Sequence, residues 1–449
     1  MQRIMIAGTG SGCGKTTVTC AILSALRQRG VRTAAFKCGP DYIDPMFYRE
    51  ILGTPSHNLD SFFCGRDMLC SLLASQTECN DIAVIEGVMG FYDGTEGSAY
   101  RISEMTETPV ILVLNCRGMK ESIGAVMQGF LQYQLPNRIA GFIFDRLPLR
   151  LIPFVEQLCD TLKTGFFGCL PAHEYTLESR HLGLVTAAEI TDIHEKMNAL
   201  GALAEQYILL DRMMETGCSS LLAYHPPVFP KLRSHPVIAV ARDRAFCFLY
   251  NENLSILREI GCEIKYFSPL TDVHVPAADG LILCGGYPEL YAGQLSENVT
   301  MRHEIKAAIS NKIPVIAECG GFMYLHSYLR TESGKKYEMA GVIDGTVFPS
   351  GKLQRFGYAT MRAHADNLLC KAAETLKVHE FHYWDSTDAG AGFTAEKTDG
   401  RSWECGHISS TMYAGFPHLY FPSDIRIALR FAAACAKYGG KDASYSADL

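Results

Sequence analysis

Two doubly wound α/β domains, joined by a short proline-rich linker, are what this sequence predicts, and three observations predict them. Strand-like apolar runs alternate with helix-like stretches along residues 1–223 and again along 236–440, the pattern of a mainly parallel sheet covered by helices. A glycine-rich loop stands at the first strand-to-helix junction, and a cysteine followed by two glycines stands at a later one. At 449 residues with 48% hydrophobic content, the chain exceeds one ordinary core and is apolar enough for two.

Composition narrows the partners. A net charge of -7, with no dense Lys/Arg run, argues against nucleic acid or a membrane surface, so any anion is bound by a local site. No apolar run approaches the ~18 residues of a spanning helix, and the N-terminus enters a strand without a signal-peptide pattern; a cytoplasmic protein is expected. The 17 cysteines are scattered without a Cys-x-x-Cys pair, which predicts buried thiols in a reducing compartment rather than a zinc or redox centre.

In chain order, Ile4 to Ala7 reads as a buried strand, and Gly8-Thr9-Gly10-Ser11-Gly12-Cys13-Gly14 as the loop after it. Such glycines turn successive backbone N–H groups toward a phosphate, while Lys15, Thr16 and Thr17 open a helix whose dipole adds to the attraction. Lys15 reaches the terminal phosphates, and the Thr16 hydroxyl is a magnesium ligand. The strict motif has glycine where Thr9 stands, so this is a variant with its first glycine at Gly8. Val18 to Arg29 predicts a helix stopped at Gly30, and Thr33 to Phe36 the next strand. Lys37 to Pro45 then reads as a loop at the carboxyl edge of the sheet, where Lys37 can hold a phosphate or carboxylate and Asp41 and Asp44 can hold magnesium. Ile82 to Ile85 predicts a central strand ended by Glu86, the acid that faces the metal, with Asp93 on the glycine-punctuated loop beyond.

Pro109 to Leu114, Ile139 to Phe144 and Phe166 to Leu170 continue the strands, with helices at Lys120 to Tyr133 and Leu151 to Leu162 between them. A helix-like stretch, Ala188 to Glu215, closes the first domain, and residues 224–235, with three prolines in Tyr224 to Pro230, read as linker. Val237 to Ala241, Glu263 to Phe267 and Leu281 to Cys284 are the strands that restart the alternation, with a helix near Asn253 to Ile260. Gly285 and Gly286 offer backbone N–H groups to an anion. Cys319, between a strand and Gly320-Gly321, has the setting of an exposed nucleophile whose thiol the helix N-terminus acidifies. A thiolate needs a general base, and His382 and His418 are both candidates. His379 and His382 lie in a strand-like run at the wrong spacing for a helical zinc motif. Residues 441–449 are expected to be a disordered tail.

Taken together, several segments resemble the cobyrinate a,c-diamide synthase family of glutamine-dependent amidating ligases. They are residues 8–17, 37–45, 58–60 (Asn-Leu-Asp), 86–94, 180–184 (Arg-His-Leu-Gly-Leu), 241–243 (Ala-Arg-Asp), 285–289, 318–325 and 379–383. The resemblance spans the first strand to the last helix. It implies an N-terminal P-loop domain similar to dethiobiotin synthetase and a C-terminal, flavodoxin-like class I glutamine amidotransferase domain. It also implies ATP, Mg2+, L-glutamine and a tetrapyrrole as partners, with a homodimer as the candidate assembly.

By that resemblance Cys319 is the nucleophile, His418 rather than His382 is the base, and Gly286 and Gly320 form the oxyanion hole. Lys37, Asp44 and Asp93 join the synthetase chemistry, and Tyr42, Ser98, Tyr100 and Arg101 face the substrate. Cobyrinate is the expected substrate, with hydrogenobyrinate and nickel-sirohydrochlorin sharing its a,c-diacetate edge. The chain departs from the family pattern at Tyr420, where most class I glutaminases carry Glu, and at Asn115 and Asp145, where relatives carry Asp and Asn. A partitioning or switch ATPase would share the phosphate loop but would need neither Cys319 nor a second domain, and cobyric acid synthase shares both modules without the segment at 37–45.

Overall fold

The computed structural model describes residues 2–446 apart from 54–55, 77–78, 95, 173–178, 181–182, 185–191 and 221. Two compact units divide the chain, Met1–Pro227 and Val228–Leu449.

The first unit is built on a seven-stranded parallel sheet in the order β3-β2-β4-β1-β5-β6-β7. Its strands are β1 (Gln2–Gly8), β2 (Thr33–Cys38), β3 (His57–Leu59), β4 (Ile82–Glu86), β5 (Val110–Asn115), β6 (Ile139–Asp145) and β7 (Gly165–Leu170). Helices α1 (Lys15–Gln28), α2 (Ile43–Leu52), α3 (Arg66–Ala74), α4 (Ala99–Met105), α5 (Ser122–Tyr133) and α6 (Ile152–Thr161) make the crossovers. Because helices cover both faces, the central strands are near-continuous apolar runs rather than alternating ones. From the neighbouring strands β1 and β5 the chain runs in opposite directions along the sheet, to β2 and to β6, which opens a crevice at their carboxyl ends.

The expected helix over Ala188 to Glu215 is two helices, α7 (Ile193–Tyr207) and α8 (Leu210–Thr216), and its residues 188–191 lie outside the described residues. Sheet pairing breaks it: Ile208 bridges Gly168, and the Leu209 N–H donates to the Phe167 carbonyl at 3.0 Å. A two-stranded ribbon, β8 (Ser179–Arg180) and β9 (Gly183–Leu184), precedes it; within the segment at 180–184, His181 and Leu182 lie outside the described residues.

The second unit contains the six-stranded sheet β11-β10-β12-β13-β21-β20. Its members are β10 (Val237–Ala241), β11 (Glu263–Phe267), β12 (Gly280–Leu283), β13 (Val315–Glu318), β20 (His407–Ile408) and β21 (Met412–Gly415), parallel except for β20. Helices α9 (Asn251–Ile260), α10 (Ala292–Glu297), α11 (Val299–Ser310), α12 (Gly320–Leu325) and α13 (Ile425–Tyr438) complete it. In α13, Ile427, Ala428, Phe431, Ala432, Cys435 and Ala436 bury one stripe, and the Asp424 side chain caps the N-terminus.

A further sheet is absent from the sequence-based expectation. Strands β14 (His326–Arg330), β15 (Lys336–Glu338), β16 (Ile343–Ala363), β17 (Thr375–Ser386) and β22 (His418–Leu419) form its main path, and β18 (Phe393–Glu396) and β19 (Ser402–Cys405) extend from β16. The expected tail is also different over its described part: Tyr445 bridges Leu232, the Ser446 N–H donates to Lys231 at 2.8 Å, and Lys441 pairs with Asp279 at 2.6 Å. Those bonds order residues 441–446, and they make residues 231–235 of the expected linker part of the second unit.

Candidate active sites

In the first unit the phosphate loop is shaped by close contacts. A Cβ at Gly8 would sit 2.4 Å from the Cys13 sulfur, and one at Gly14, where φ is 99°, would sit 2.6 Å from Asp145 Oδ2. Only glycine fits either place. Lys15, at the first position of α1, arches back so that its Nζ donates to the Gly10 carbonyl at 2.8 Å, and burial lowers its pKa. Thr9 departs from its expected part in the cradle, because its N–H continues the sheet by donating to Val113 at 3.1 Å.

Register builds the charged centre beside the loop. Pairing of β2 with β4 sets Lys37 opposite Glu86; Lys37 is a strand residue and Asp44 a helical one in the first turn of α2, so neither lies in the expected loop. Lys37 Nζ lies 2.5 Å from Asp44 Oδ2 and 2.7 Å from Glu86 Oε1. Thr16 Oγ1 donates to Glu86 Oε1 at 2.8 Å and stands 3.4 Å from Asp44 Oδ2. The Tyr48 hydroxyl donates to the other Glu86 oxygen. Burial alone would lower the Lys37 pKa, but Asp44 and Glu86 hold it well above its ordinary value. Burial raises Glu86, against the pull of Lys37.

In the second unit, β13 ends in Glu318, and Cys319 turns the chain with φ 45° and ψ -102° into α12. This is the sharp strand-to-helix turn that exposes a nucleophile at a sheet edge. The Cys319 N–H donates to Gly415 at 2.8 Å, which ties the turn to β21. A Cβ on Gly320 would lie 2.9 Å from the Gly286 nitrogen, so the two glycine backbones adjoin beside the sulfur. His418 Nδ1 lies 3.3 Å from Glu318 Oε2, and the Leu419 N–H donates to Glu318 Oε1 at 3.2 Å. Burial raises the Cys319 thiol well above its ordinary pKa, with Glu289 adding to the shift, and a hydrogen bond from the Gly320 N–H does not offset them. The expected acidification by the helix N-terminus is thus overridden by desolvation.

Two family models match the chain: the CobQ/CobB/MinD/ParA nucleotide binding domain over residues 4–184 and the CobB/CobQ-like glutamine amidotransferase domain over 237–424. The cobyrinate a,c-diamide synthase of Priestia megaterium is 36% identical over 98% of this chain and 99% of its own length. That of Listeria monocytogenes serotype 4b (strain F2365) is 38% identical over 95% and 98%, and that of Thermoplasma volcanium 36% identical over 98% and 99%. The chain belongs to the cobyrinate a,c-diamide synthase family. It is a glutamine-dependent ligase with a nucleotide-binding domain.

Within this member of the cobyrinate a,c-diamide synthase family, Lys15, Thr16, Lys37, Asp44 and Glu86 converge, while several expected site residues have structural duties. Asp41 Oδ1 accepts from the Ile43 and Asp44 N–H groups at 2.8 and 3.2 Å, so this carboxylate caps α2, and Asp44 rather than Asp41 faces Thr16. Burial, then Asp44, pushes the Asp41 pKa up to about 7. Asp93 is exposed, and its Oδ2 accepts the Gly90 N–H at 3.0 Å, closing a turn. Ser98 caps α4 by accepting the Arg101 N–H at 3.2 Å, and the Tyr100 hydroxyl donates to Pro136 at 3.0 Å. Arg101 is exposed, and Tyr42 and Thr17 are half-buried.

Residues missed in the sequence are Glu318, Tyr48 and Asn58, whose Nδ2 donates to Gly39 and Asp41 at 3.0 and 2.7 Å and fixes the turn before α2. Glu318 carried a signal, as a carboxylate ending an apolar strand beside the candidate thiol, and Asn58 opened the resembling segment 58–60, whereas Tyr48 carried none. His382 is separated from His418 by its contacts: Nδ1 meets the Trp384 carbonyl at 2.6 Å, Nε2 meets Glu380 Oε2 at 3.0 Å, and the ring stacks on Phe416. With both nitrogens engaged, it is poorly placed to serve as a base.

Proposed function

We propose that this chain amidates the a and c acetate carboxylates of cobyrinate, using ATP and ammonia released from glutamine, through acyl-phosphate intermediates in the cytoplasm. The observation that carries the reading is that one chain holds both the Lys37–Asp44–Glu86–Thr16 cluster beside a phosphate loop and a Cys319 turn backed by His418 and Glu318.

In the glutaminase half, Cys319 Sγ attacks the glutamine amide carbon while His418 Nε2 takes the thiol proton. Glu318 holds the opposite ring nitrogen and supports the charge that forms, the part played by the acid of a catalytic triad. The oxyanion is met by the backbone N–H groups of Gly286 and Gly320. The proton passes to the departing nitrogen, ammonia leaves, and water hydrolyses the thioester.

In the synthetase half, a substrate carboxylate oxygen attacks the γ-phosphorus of ATP, and ADP departs. Ammonia then adds to the acyl carbon and displaces phosphate. Lys15 and Lys37 neutralise charge along this path. The hydroxyl of Thr16 with the carboxylates of Asp44 and Glu86 is a hard-oxygen donor set that fits Mg2+, which holds only one or two carboxylates when phosphates supply further ligands. When bound, that ion supplies positive charge at the phosphates. Thr16, Asp44 and Glu86 would hold it, and Lys37 would exchange part of its carboxylate contact for substrate.

The test is time-resolved mass spectrometry with cobyrinate, ATP, Mg2+ and glutamine. A monoamide that rises and then yields a diamide, without further change, is the expected course. No change on cobyrinate alongside conversion of nickel-sirohydrochlorin or hydrogenobyrinate would reassign the substrate.

A further inference from the structure

The second unit holds a cation for which the described residues provide no carboxylate. Arg355 lies in the irregular part of β16, where the register against β17 shifts between Pro349 and Gln354 and again between Gln354 and Gly357. Its φ is 44°, a region that side-chain-bearing residues occupy when their surroundings hold them there. Nη1 of its guanidinium is buried without a hydrogen-bond partner. Leaving a cationic donor desolvated and unpaired is costly, and a ligand that pairs it recovers that cost.

What surrounds Arg355 links it to the thiol turn. Its guanidinium lies 5.7 Å from the centre of the Trp403 ring, and Trp403 Nε1 donates to Glu380 Oε1 at 3.0 Å. The other Glu380 oxygen accepts from His382 at 3.0 Å, so Glu380 is held toward Trp403 and His382. Glu380 acts electrostatically on the Cys319 thiol. The His382 ring stacks on Phe416 at 3.9 Å, and Phe416 follows Gly415, whose carbonyl accepts the Cys319 N–H.

Glutamine presents two ends to such a site. Its side-chain amide goes to the sulfur, and its α-carboxylate, some bonds away, needs a cation with paired donors. We propose that Arg355 binds the α-carboxylate of the glutamine substrate and so sets the amino-acid head at a fixed distance from the Cys319 sulfur. The proposal rests on Cys319 being the nucleophile.

The experiment compares two substrates on the full-length protein: L-glutamine and 4-aminobutanamide, which keeps the amide and the amine but lacks the α-carboxylate. Wild type should favour L-glutamine strongly. Arg355→Ala should raise the KM for L-glutamine roughly 10- to 100-fold, with little change in kcat and none in kcat/KM for the analogue, because one charge-assisted bidentate contact is removed. Arg355→Lys, which keeps the charge without the fork, should fall between. Alkylation of Cys319 by iodoacetamide, read by mass spectrometry, should proceed at the wild-type rate in each variant and so report an intact turn.

An unchanged KM for L-glutamine, or an equal loss for both substrates, would overturn the proposal. If Arg355→Ala does not fold, Arg355→Lys and Arg355→Gln are held to the same two criteria. Glutaminase activity that survives in Cys319→Ala would refute the nucleophile instead, an outcome separate from the KM shift at Arg355.

Discussion

Glu318 precedes the thiol in the chain and yet serves His418, 100 residues further on. Such a pairing has no sequence spacing to betray it, because it exists only where β13 ends beside the turn that brings in β22. Cys319 itself was legible, since a strand, a cysteine and two glycines describe the turn locally. Its raised thiol pKa was not, since desolvation depends on what packs above the turn. Replacing Glu318 with Gln keeps an oxygen for the Leu419 N–H but removes the charge behind the imidazole. Glutaminase kcat/KM is expected to fall about 10²-fold or more, while amidation from added ammonium stays near wild type. Cys319→Ala should likewise abolish glutamine-driven amidation and spare the ammonium-driven reaction. Loss of both would place the thiol in the synthetase chemistry.

Asp145 and α1 form a unit at the scale of elements. β6 ends in this carboxylate, which lies against Gly14 at the start of α1, and burial pushes its pKa up to about 6. A raised carboxylate favours the folded state while protonated, so its contribution is complete below the unfolded value near 4 and is lost as pH rises through about 6. Asp145→Asn removes that dependence. Denaturant unfolding should show the variant about equal to wild type near pH 4 and more stable by about 2 kcal/mol at pH 7.5. A difference that does not grow with pH would count against this account.

The parallel sheets were legible as elements because their strands are short apolar runs bounded by glycine, proline and charge. The ribbon of β16 and β17 was legible only as a strand-like run around His379 and His382, with no partner strand. Its sequence mixes Lys, Gln, Arg and Thr with aromatic residues, its alternation is confined to short stretches such as Thr375 to Val378, and no two-residue turn joins the strands, so no turn chemistry marks their pairing. The boundary of α2 failed for a related reason. Gly-Pro-Asp is sound turn chemistry, but Asp41 is also the cap of a helix that starts at Ile43, two residues before Pro45.

For the whole molecule, the division of chemistry between two units predicts separable losses. Lys15→Ala should remove amidation with either nitrogen donor, by roughly 10³-fold or more, because phosphoryl transfer depends on that charge. Glutamine hydrolysis at Cys319 should persist in the same variant, which an ammonia-release assay would read. Loss of both activities would mean that the two sites do not work independently.

Each unit also closes on itself. Arg3 and Cys218 exchange backbone hydrogen bonds at 3.1 Å, and Arg3 Nη1 donates to the Ser220 carbonyl at 2.8 Å, so the first unit ends where it began. Leu232 and Tyr445 do the same for the second. A body whose two ends are stitched together is a cassette: it can be lifted from one gene and set into another, in front of or behind a different partner, without pulling any strand out of its sheet.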